Sequence, residues 1–412
     1  MDQTIKNTIE KAVLVGLVFD EGDDESIEEL KELAKTAGAE VLGVITQKRH
    51  SIDKTYYIGK GKLEELKQYI DNMKANLVIF NDDLSGSQLK NIEDVLDIKV
   101  IDRTTLILDI FAKRAKSKEG KLQVELAQLK YRLPRLIGIG DKLSRLGGGI
   151  GTRGPGETKL ETDRRHIRDR IKMIENKLNE IKKHRNLQRE RRKKNKIPVI
   201  VIVGYTNAGK STLINNLTNS NVYVEDKLFA TLDPTARKLV LPSRREAVII
   251  DTVGFIRKLP HDLVEAFKST LEESKYADVL IHVIDASSKD MMEKIKVVEK
   301  VLRDLDVIQK PTINVYNKAD LLEYVPNNKE NNIYISAKNK WGFEDLLIAI
   351  DKAAYGDVEI IDFCIPYKNN TDYNFLKQNS KIIREEFTDE GINVKAEVQK
   401  DTKEKLKKFI LF

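Results

Sequence analysis

The sequence predicts an α/β protein in four parts: a small α/β domain at 1–111, an antiparallel helical hairpin at 112–196, a central α/β domain at 197–356 and a small α+β domain at 357–412. Three observations carry this. Strand and helix patterns alternate along the first part, as in a parallel sheet flanked by helices. Two long apolar stripes at helical spacing follow, joined by a glycine-dense connection. Then an apolar, β-branched run leads through a Gly-rich turn into a helix, so the central domain is expected to be built on a phosphate-binding loop, or P-loop.

In the first part, 12–19 reads as a buried strand and 26–36 as an amphipathic helix opened by a Ser26 cap. Strands are expected at 41–46, 77–80 and 100–102, and helices at 61–73 and 85–96. The run Tyr57-Ile58-Gly59-Lys60-Gly61-Lys62 has glycine and lysine but not the spacing of a phosphate loop, and reads as a tight turn before a helix.

In the second part, Leu122, Leu126, Leu129 and Leu133 recur at spacings of four and three. Leu160, Ile167, Ile171, Ile174, Leu178 and Ile181 form a second stripe in heptad register, so the two helices should pack antiparallel. The connection at 147–157 holds too much glycine to form a packed element, and such loops are commonly functional. Charge is concentrated here. Residues 113–196 hold 27 Lys+Arg and 10 Asp+Glu, a net of +17, while the rest of the chain is net −10. A basic segment between acidic flanks suggests a polyanionic partner such as nucleic acid. Arg145 and Arg153 of the loop and Arg191, Arg192, Lys193 and Lys194 at the helix end are the candidate RNA contacts.

The central part opens with Gly204-Tyr205-Thr206-Asn207-Ala208-Gly209-Lys210-Ser211, followed by Thr212. The glycines let the backbone approach a polyphosphate, Lys210 supplies a point charge, and the Ser211 hydroxyl suits a Mg²⁺ that also touches phosphate. Downstream, Phe229-Ala230-Thr231 lies in a loop where Thr231, with Thr235 as the alternative, is a candidate Mg²⁺ ligand. Asp251-Thr252-Val253-Gly254 follows an apolar strand. Asp251 is expected to hold Mg²⁺ through water, and the Gly254 N–H to sense a γ-phosphate. Asn317-Lys318-Ala319-Asp320 points to guanine, because a carboxylate accepts from its N1–H and N2–H₂ and adenine offers no such pair. Ser336-Ala337-Lys338 is expected to close over the base edge. Together these residues imply GTP and GDP as ligands. Phe255 stands where Ras-like proteins carry the glutamine that orients water, so no catalytic residue is assigned and hydrolysis is expected to be slow without help. That help would come from a bound partner or a K⁺ ion, for which Asn207 is a candidate ligand.

The fourth part reads as strands at 359–365, 381–387 and 392–399 with helices at 369–380 and 401–409, and 388–391 as a hairpin turn. The single cysteine, Cys364, excludes an internal disulfide and suggests a reducing compartment. No apolar run approaches a membrane span, and the amino terminus lacks the build of a signal peptide. A cytoplasmic protein is expected, with peripheral membrane association left open.

These motifs closely resemble the HflX family of translational GTPases, in the Obg-HflX group of the TRAFAC class. The resemblance rests on the 57–62 run, Ile101-Asp102-Arg103-Thr104, the 122–129 stripe, Arg153-Gly154-Pro155-Gly156-Glu157, Leu160-Glu161-Thr162-Asp163-Arg164-Arg165, the P-loop, the 229–235 loop and Asp251-Thr252-Val253-Gly254-Phe255-Ile256-Arg257. It implies a GTPase, expected to act as a monomer, that binds the large ribosomal subunit and its rRNA. In that family the enzyme splits stalled or idle ribosomes under stress, with the Gly-rich loop reaching the peptidyl-transferase region. The alternative is a GTP-timed assembly or tethering factor without splitting activity. The family's N-terminal domain is also linked to ATP, although this sequence shows no phosphate loop there.

Overall fold

A computed structural model of the chain describes residues 9–19, 23–136, 155–194, 197–218, 228–229, 235–258, 272–329, 331–356 and 358–411. The N-terminal sheet contains β1 (Lys11–Val18), β2 (Glu40–Lys48), β3 (Leu77–Phe80) and β4 (Lys99–Asp102) in the order β2-β1-β3-β4. All neighbours are parallel. Helices α1 (Asp23–Ala37), α2 (Lys60–Met73), α3 (Gly86–Leu96) and α4 (Arg103–Arg114) alternate with the strands. β1 is buried on both faces, which is why it reads as an unbroken apolar run. Leu14 joins Leu30, Leu33 and Phe111 in one core, while Val13 and Val15 join Leu63, Leu66 and Ile92 in the other.

Helix α3 begins as expected, with Ser85 and Gln88 forming a reciprocal capping box. Helix α1 does not. It starts at Asp23, so Ser26 is an interior residue and not a cap. Its buried hydroxyl bonds the Asn81 side chain instead, within a network that includes Arg103. A tertiary partner has displaced the local capping role.

The hairpin consists of α5 (Lys118–Arg135), capped by Ser117, and α6 (Pro155–Lys194). Glu119 pairs with Arg185 and Lys130 with Glu175, so numbering rises along one helix as it falls along the other. Arg170 donates two bonds to the Glu125 carboxylate, at 2.6 and 2.9 Å. Ile174 is buried and Ile167, Ile171, Leu178 and Ile181 are half-buried, while the side chain of Leu160 lies outside the described residues. On α5, Leu126 is buried while Leu122, Leu129 and Leu133 are half-buried. The helix has a second apolar face, unanticipated from the stripe: Val124, Ala127 and Tyr131 pack into the N-terminal core.

The central sheet is β5 (Val199–Gly204), β6 (Ala236–Val240), β7 (Glu246–Asp251), β8 (Val279–Asp285), β9 (Thr312–Asn317) and β10 (Asn332–Tyr334), in the order β10-β9-β8-β5-β7-β6. Only the edge strand β6 runs antiparallel to its neighbour. Helices α7 (Lys210–Leu217), α8 (Met291–Asp304) and α9 (Phe343–Tyr355) pack on its two faces. This order places the end of β5 at the middle of the sheet.

The last part is an antiparallel sheet, β11 (Val358–Ile365), β13 (Gly391–Gln399) and β12 (Lys381–Thr388) in that spatial order, with α10 (Asn370–Asn379) and α11 (Lys400–Lys405). Phe363, Ile365, Leu376, Val394 and Leu406 form its core. The helix expected to reach 409 stops at Lys405 and continues as a single tighter turn, Lys407–Phe409. Among the described residues, no helix is long and apolar enough to cross a membrane.

Candidate nucleotide site

Strand β5 is buried along its whole length and ends at Gly204, where the chain must turn sharply. Gly204 has φ 154°, and a side chain there would collide with the Val283 carbonyl oxygen of β8. Gly209 has φ 93°, and a side chain would meet the Asn317 amide. Both positions therefore require glycine, for conformation and for close approach. Between them Asn207 also adopts a left-handed conformation, with φ 59°. Helix α7 then starts at Lys210, so its free N–H groups face the turn.

Lys210 is buried, and its ammonium donates to the carbonyls of Gly204 (3.0 Å) and Tyr205 (2.7 Å). Burial pulls its pKa down to about 8, partly offset by the nearby Asp251 carboxylate. A phosphate anion beside the ammonium would favour its charged form. The Ser211 hydroxyl donates to Asp251 at 3.2 Å. Thr252 donates to the Ile202 carbonyl at 2.6 Å, which fixes the start of the 251–254 loop to β5. A Cβ on Gly254 would lie 2.9 Å from the Lys210 ammonium nitrogen. The P-loop and the 251–254 loop are therefore in direct contact.

On the base side, Asn317 is a staple. Its amide donates to the Ala208 carbonyl and its oxygen accepts from the Ala337 N–H, both at 2.8 Å. The second and third loops of the site are thus tied to the first. Lys318, with φ 63°, pairs with Asp285 at 2.6 Å. Ser336 and Ala337 are buried, while Asp320 and Lys338 are exposed. Thr212 is half-buried at the start of α7.

Two residues of this site were not anticipated. Asp285, which orients Lys318, ends a parallel strand, where α/β sheets place their ligands; that position was a readable signal. Asn216 donates to the Ala337 carbonyl at 2.7 Å, and nothing in its local sequence marks it.

Other expected residues lie elsewhere. Phe229 is buried in the N-terminal core with its ring edge-on to Phe111, at 4.6 Å between centroids. Thr235, the alternative to Thr231, is exposed, and its carbonyl accepts from the Asp251 N–H at 3.3 Å. Ala230, Thr231, Arg145 and Arg153 lie outside the described residues, as do the side chains of Arg191, Arg192, Lys193 and Lys194 on the last turns of α6. Phe255 turns inward, into a core shared with Val201, Tyr205 and Leu302, and Val253 is buried beside it in sequence.

The site is also joined to the N-terminal domain. Tyr205 of the P-loop donates its hydroxyl to Glu29 at 2.5 Å and accepts from the Arg257 N–H at 2.8 Å. Burial and the Glu29 charge hold this phenol protonated by pushing its pKa above the usual range. Glu29 is paired in turn with the buried Arg103 at 2.6 Å. Arg257 reaches Glu25, Asp290 and Glu293, and Lys258 reaches Asp82.

Three family models match in succession: the GTP-binding GTPase N-terminal model over 24–112, the GTP-binding GTPase middle region over 114–192 and the 50S ribosome-binding GTPase model over 199–318. GTPase HflX of Caldanaerobacter subterraneus subsp. tengcongensis is 67% identical over 402 residues, covering 98% of this chain and 94% of that protein. GTPase HflX of Escherichia coli K12 is 46% identical over 357 residues, covering 85% and 84% respectively. Among solved structures, a GTP-binding protein from the hyperthermophilic archaeon Sulfolobus solfataricus in complex with GDP is 28% identical, covering 84% of this chain and 98% of that one at a TM-score of 0.46. With a relative this similar over nearly its whole length, the chain belongs to the HflX family and is a GTPase.

Proposed function

We propose that this GTPase binds the large ribosomal subunit through its rRNA and uses GTP as a switch to split stalled or idle ribosomes into subunits. The observation that carries this reading is the basic antiparallel hairpin built onto a nucleotide switch. Segment 113–196 is net +17, and α6 is held to the central domain where Arg185 meets Glu273 at 3.4 Å. A duplex of this charge suits a phosphate backbone. The family description "50S ribosome-binding GTPase" supports the same partner. We assign 1–111, 112–196, 197–356 and 357–412 as the domains, and the cytoplasm as the site of action of a monomer.

In this reading the phosphates sit on 204–212, and Asn317, Lys318 and Asp320 select guanine under Ser336, Ala337 and Lys338. The convergence of the Ser211 hydroxyl and the Asp251 carboxylate fits Mg²⁺, with Thr231 as a further ligand and Asp251 acting through water. When bound, that ion neutralises phosphate charge. K⁺ is assigned to Asn207. Arg145, Arg153 and the 191–194 cluster contact rRNA.

Sedimentation of intact ribosomes with the protein and GTP tests the proposal. Free subunits are expected with GTP and not with GDP. Binding without release of subunits would favour the assembly or tethering role.

A further inference from the structure

Phe255 leaves hydrolysis without the group that orients water in Ras-like enzymes. Its ring is also turned into the core, while its backbone pairs with the P-loop. Its N–H donates to the Gly204 carbonyl at 3.1 Å, its carbonyl accepts from the Thr206 N–H at 2.8 Å, and its ring is 2% exposed. The side chain next to this backbone pairing is Thr206. It is 7% exposed, yet its hydroxyl has no hydrogen-bond partner among the described residues. A buried hydroxyl left unsatisfied is costly and calls for an explanation. Its surroundings give one. The point where a Cβ on Gly254 would stand is 2.8 Å from Thr206 Cγ2 and 2.9 Å from the Lys210 ammonium nitrogen. The Thr206 side chain, the Lys210 ammonium and Gly254 therefore meet within the width of one side chain.

We propose that the Thr206 hydroxyl contacts the hydrolytic water and the γ-phosphate, taking over the positioning that Phe255 cannot perform. This rests on GTP being seated in the P-loop. The water oxygen forms the new bond to the γ-phosphorus. The bond from that phosphorus to the β–γ bridging oxygen breaks, and its electron pair stays with GDP. The water proton passes to an oxygen of the departing phosphate. Thr206 accepts a hydrogen bond from the water and donates its own hydrogen to a γ-phosphate oxygen, with no covalent change of its own.

The test is single-turnover GTP hydrolysis by the full-length protein, alongside binding of GDP and of GDP with aluminium fluoride. Thr206→Val keeps the shape and removes the hydroxyl. It should slow hydrolysis about 10²-fold. GDP affinity should hold within about twofold while the tightening by aluminium fluoride is lost. Thr206→Ser should restore the rate and the tightening. Hydrolysis by Thr206→Val within about threefold of the parent would overturn the proposal. So would an equal loss of GDP affinity in both variants, which would mark Thr206 as a builder of the loop. A parent protein unable to bind GDP would instead overturn the nucleotide reading itself.

Discussion

The N-terminal sheet is parallel, the central sheet is parallel apart from β6, and both bring carboxylates to the carboxyl ends of their strands, but they use them differently. In the first sheet, β4 ends at Asp102 and α4 begins at the next residue, Arg103. Asp102 caps that helix through the Thr105 N–H and also accepts from Leu84 N–H, Tyr131 and Arg135. Asp83 beside it accepts from Thr104 and Tyr131, and burial pushes its pKa up. The protein's own donors fill the strand ends. In the second sheet, residues 205–209 separate β5 from α7, and Gly204 and Gly209 let that loop pack closely against Val283 of β8 and Asn317 of β9. Lys210, at the start of α7, folds back onto the Gly204 and Tyr205 carbonyls of that turn. Topology alone does not make a site; the loop chemistry does.

The largest expected effect breaks the closed sheet. Arg103 is 1% exposed and is paired with Glu29 while also bonding Asn81. Arg103→Met would leave the half-buried Glu29 carboxylate without its countercharge, with Tyr205 as its remaining donor, at a cost of about 3–5 kcal/mol in unfolding free energy. Urea denaturation of the N-terminal domain, followed by hydrogen exchange on β1 and β3, measures it. A cost near zero would mean that water reaches this pair.

The open sheet should respond in binding instead. Asp320→Asn should weaken GTP binding by about 2–4 kcal/mol, because the guanine donors lose a charged acceptor. Asp102→Asn, at a strand end of the closed sheet, should leave GTP affinity unchanged in the same calorimetric titration. Equal effects from the two substitutions would erase the contrast between the sheets.

What the sequence revealed follows the same division. The P-loop, Asp251, Asn317 and Ser336 could be singled out from the sequence because each belongs to a short local pattern whose spacing the chemistry dictates. β3 was legible to the residue because both of its faces are buried. Ser26 was misread because its partner, Asn81, is 55 residues away. The second face of α5 was missed because Val124, Ala127 and Tyr131 fit a helical period as well as the leucines do. The inward turn of Phe255 depends on the packing of β5 and α8, and the clasp of Tyr205 on Glu29 on how two domains meet, neither of which a local window records.

That clasp allows a smaller, sharper test. Tyr205 is the one P-loop side chain described here that bonds both sheets' domains, through Glu29 and the Arg257 backbone. A double-mutant cycle of Tyr205→Phe and Glu29→Gln should return a coupling of about 1.5–3 kcal/mol, as for a hydrogen bond to a charged group. Thermal unfolding of the four proteins supplies the numbers. Additive losses would mean that the domains touch without depending on each other.

The smallest effect concerns His282 on β8, beneath the P-loop. Burial, reinforced by the Lys210 charge, holds its pKa down at about 4. The folded protein therefore keeps this imidazole neutral where the unfolded chain, with an ordinary value near 6.5, binds a proton. The unfolded state takes up more protons between those two values, so stability must fall as pH drops from 6.5 towards 4. The slope from this one group is at most about 1.4 kcal/mol per pH unit. Other carboxyl groups titrate in the same range, so the useful quantity is a difference. Urea midpoints for the parent and for His282→Gln, taken across that window without nucleotide, should converge as the pH falls, because only the parent carries the penalty. Above pH 7 the two curves should run parallel. Parallel curves throughout would mean that His282 is charged in the folded state, and that Lys210 is too well screened to repel it.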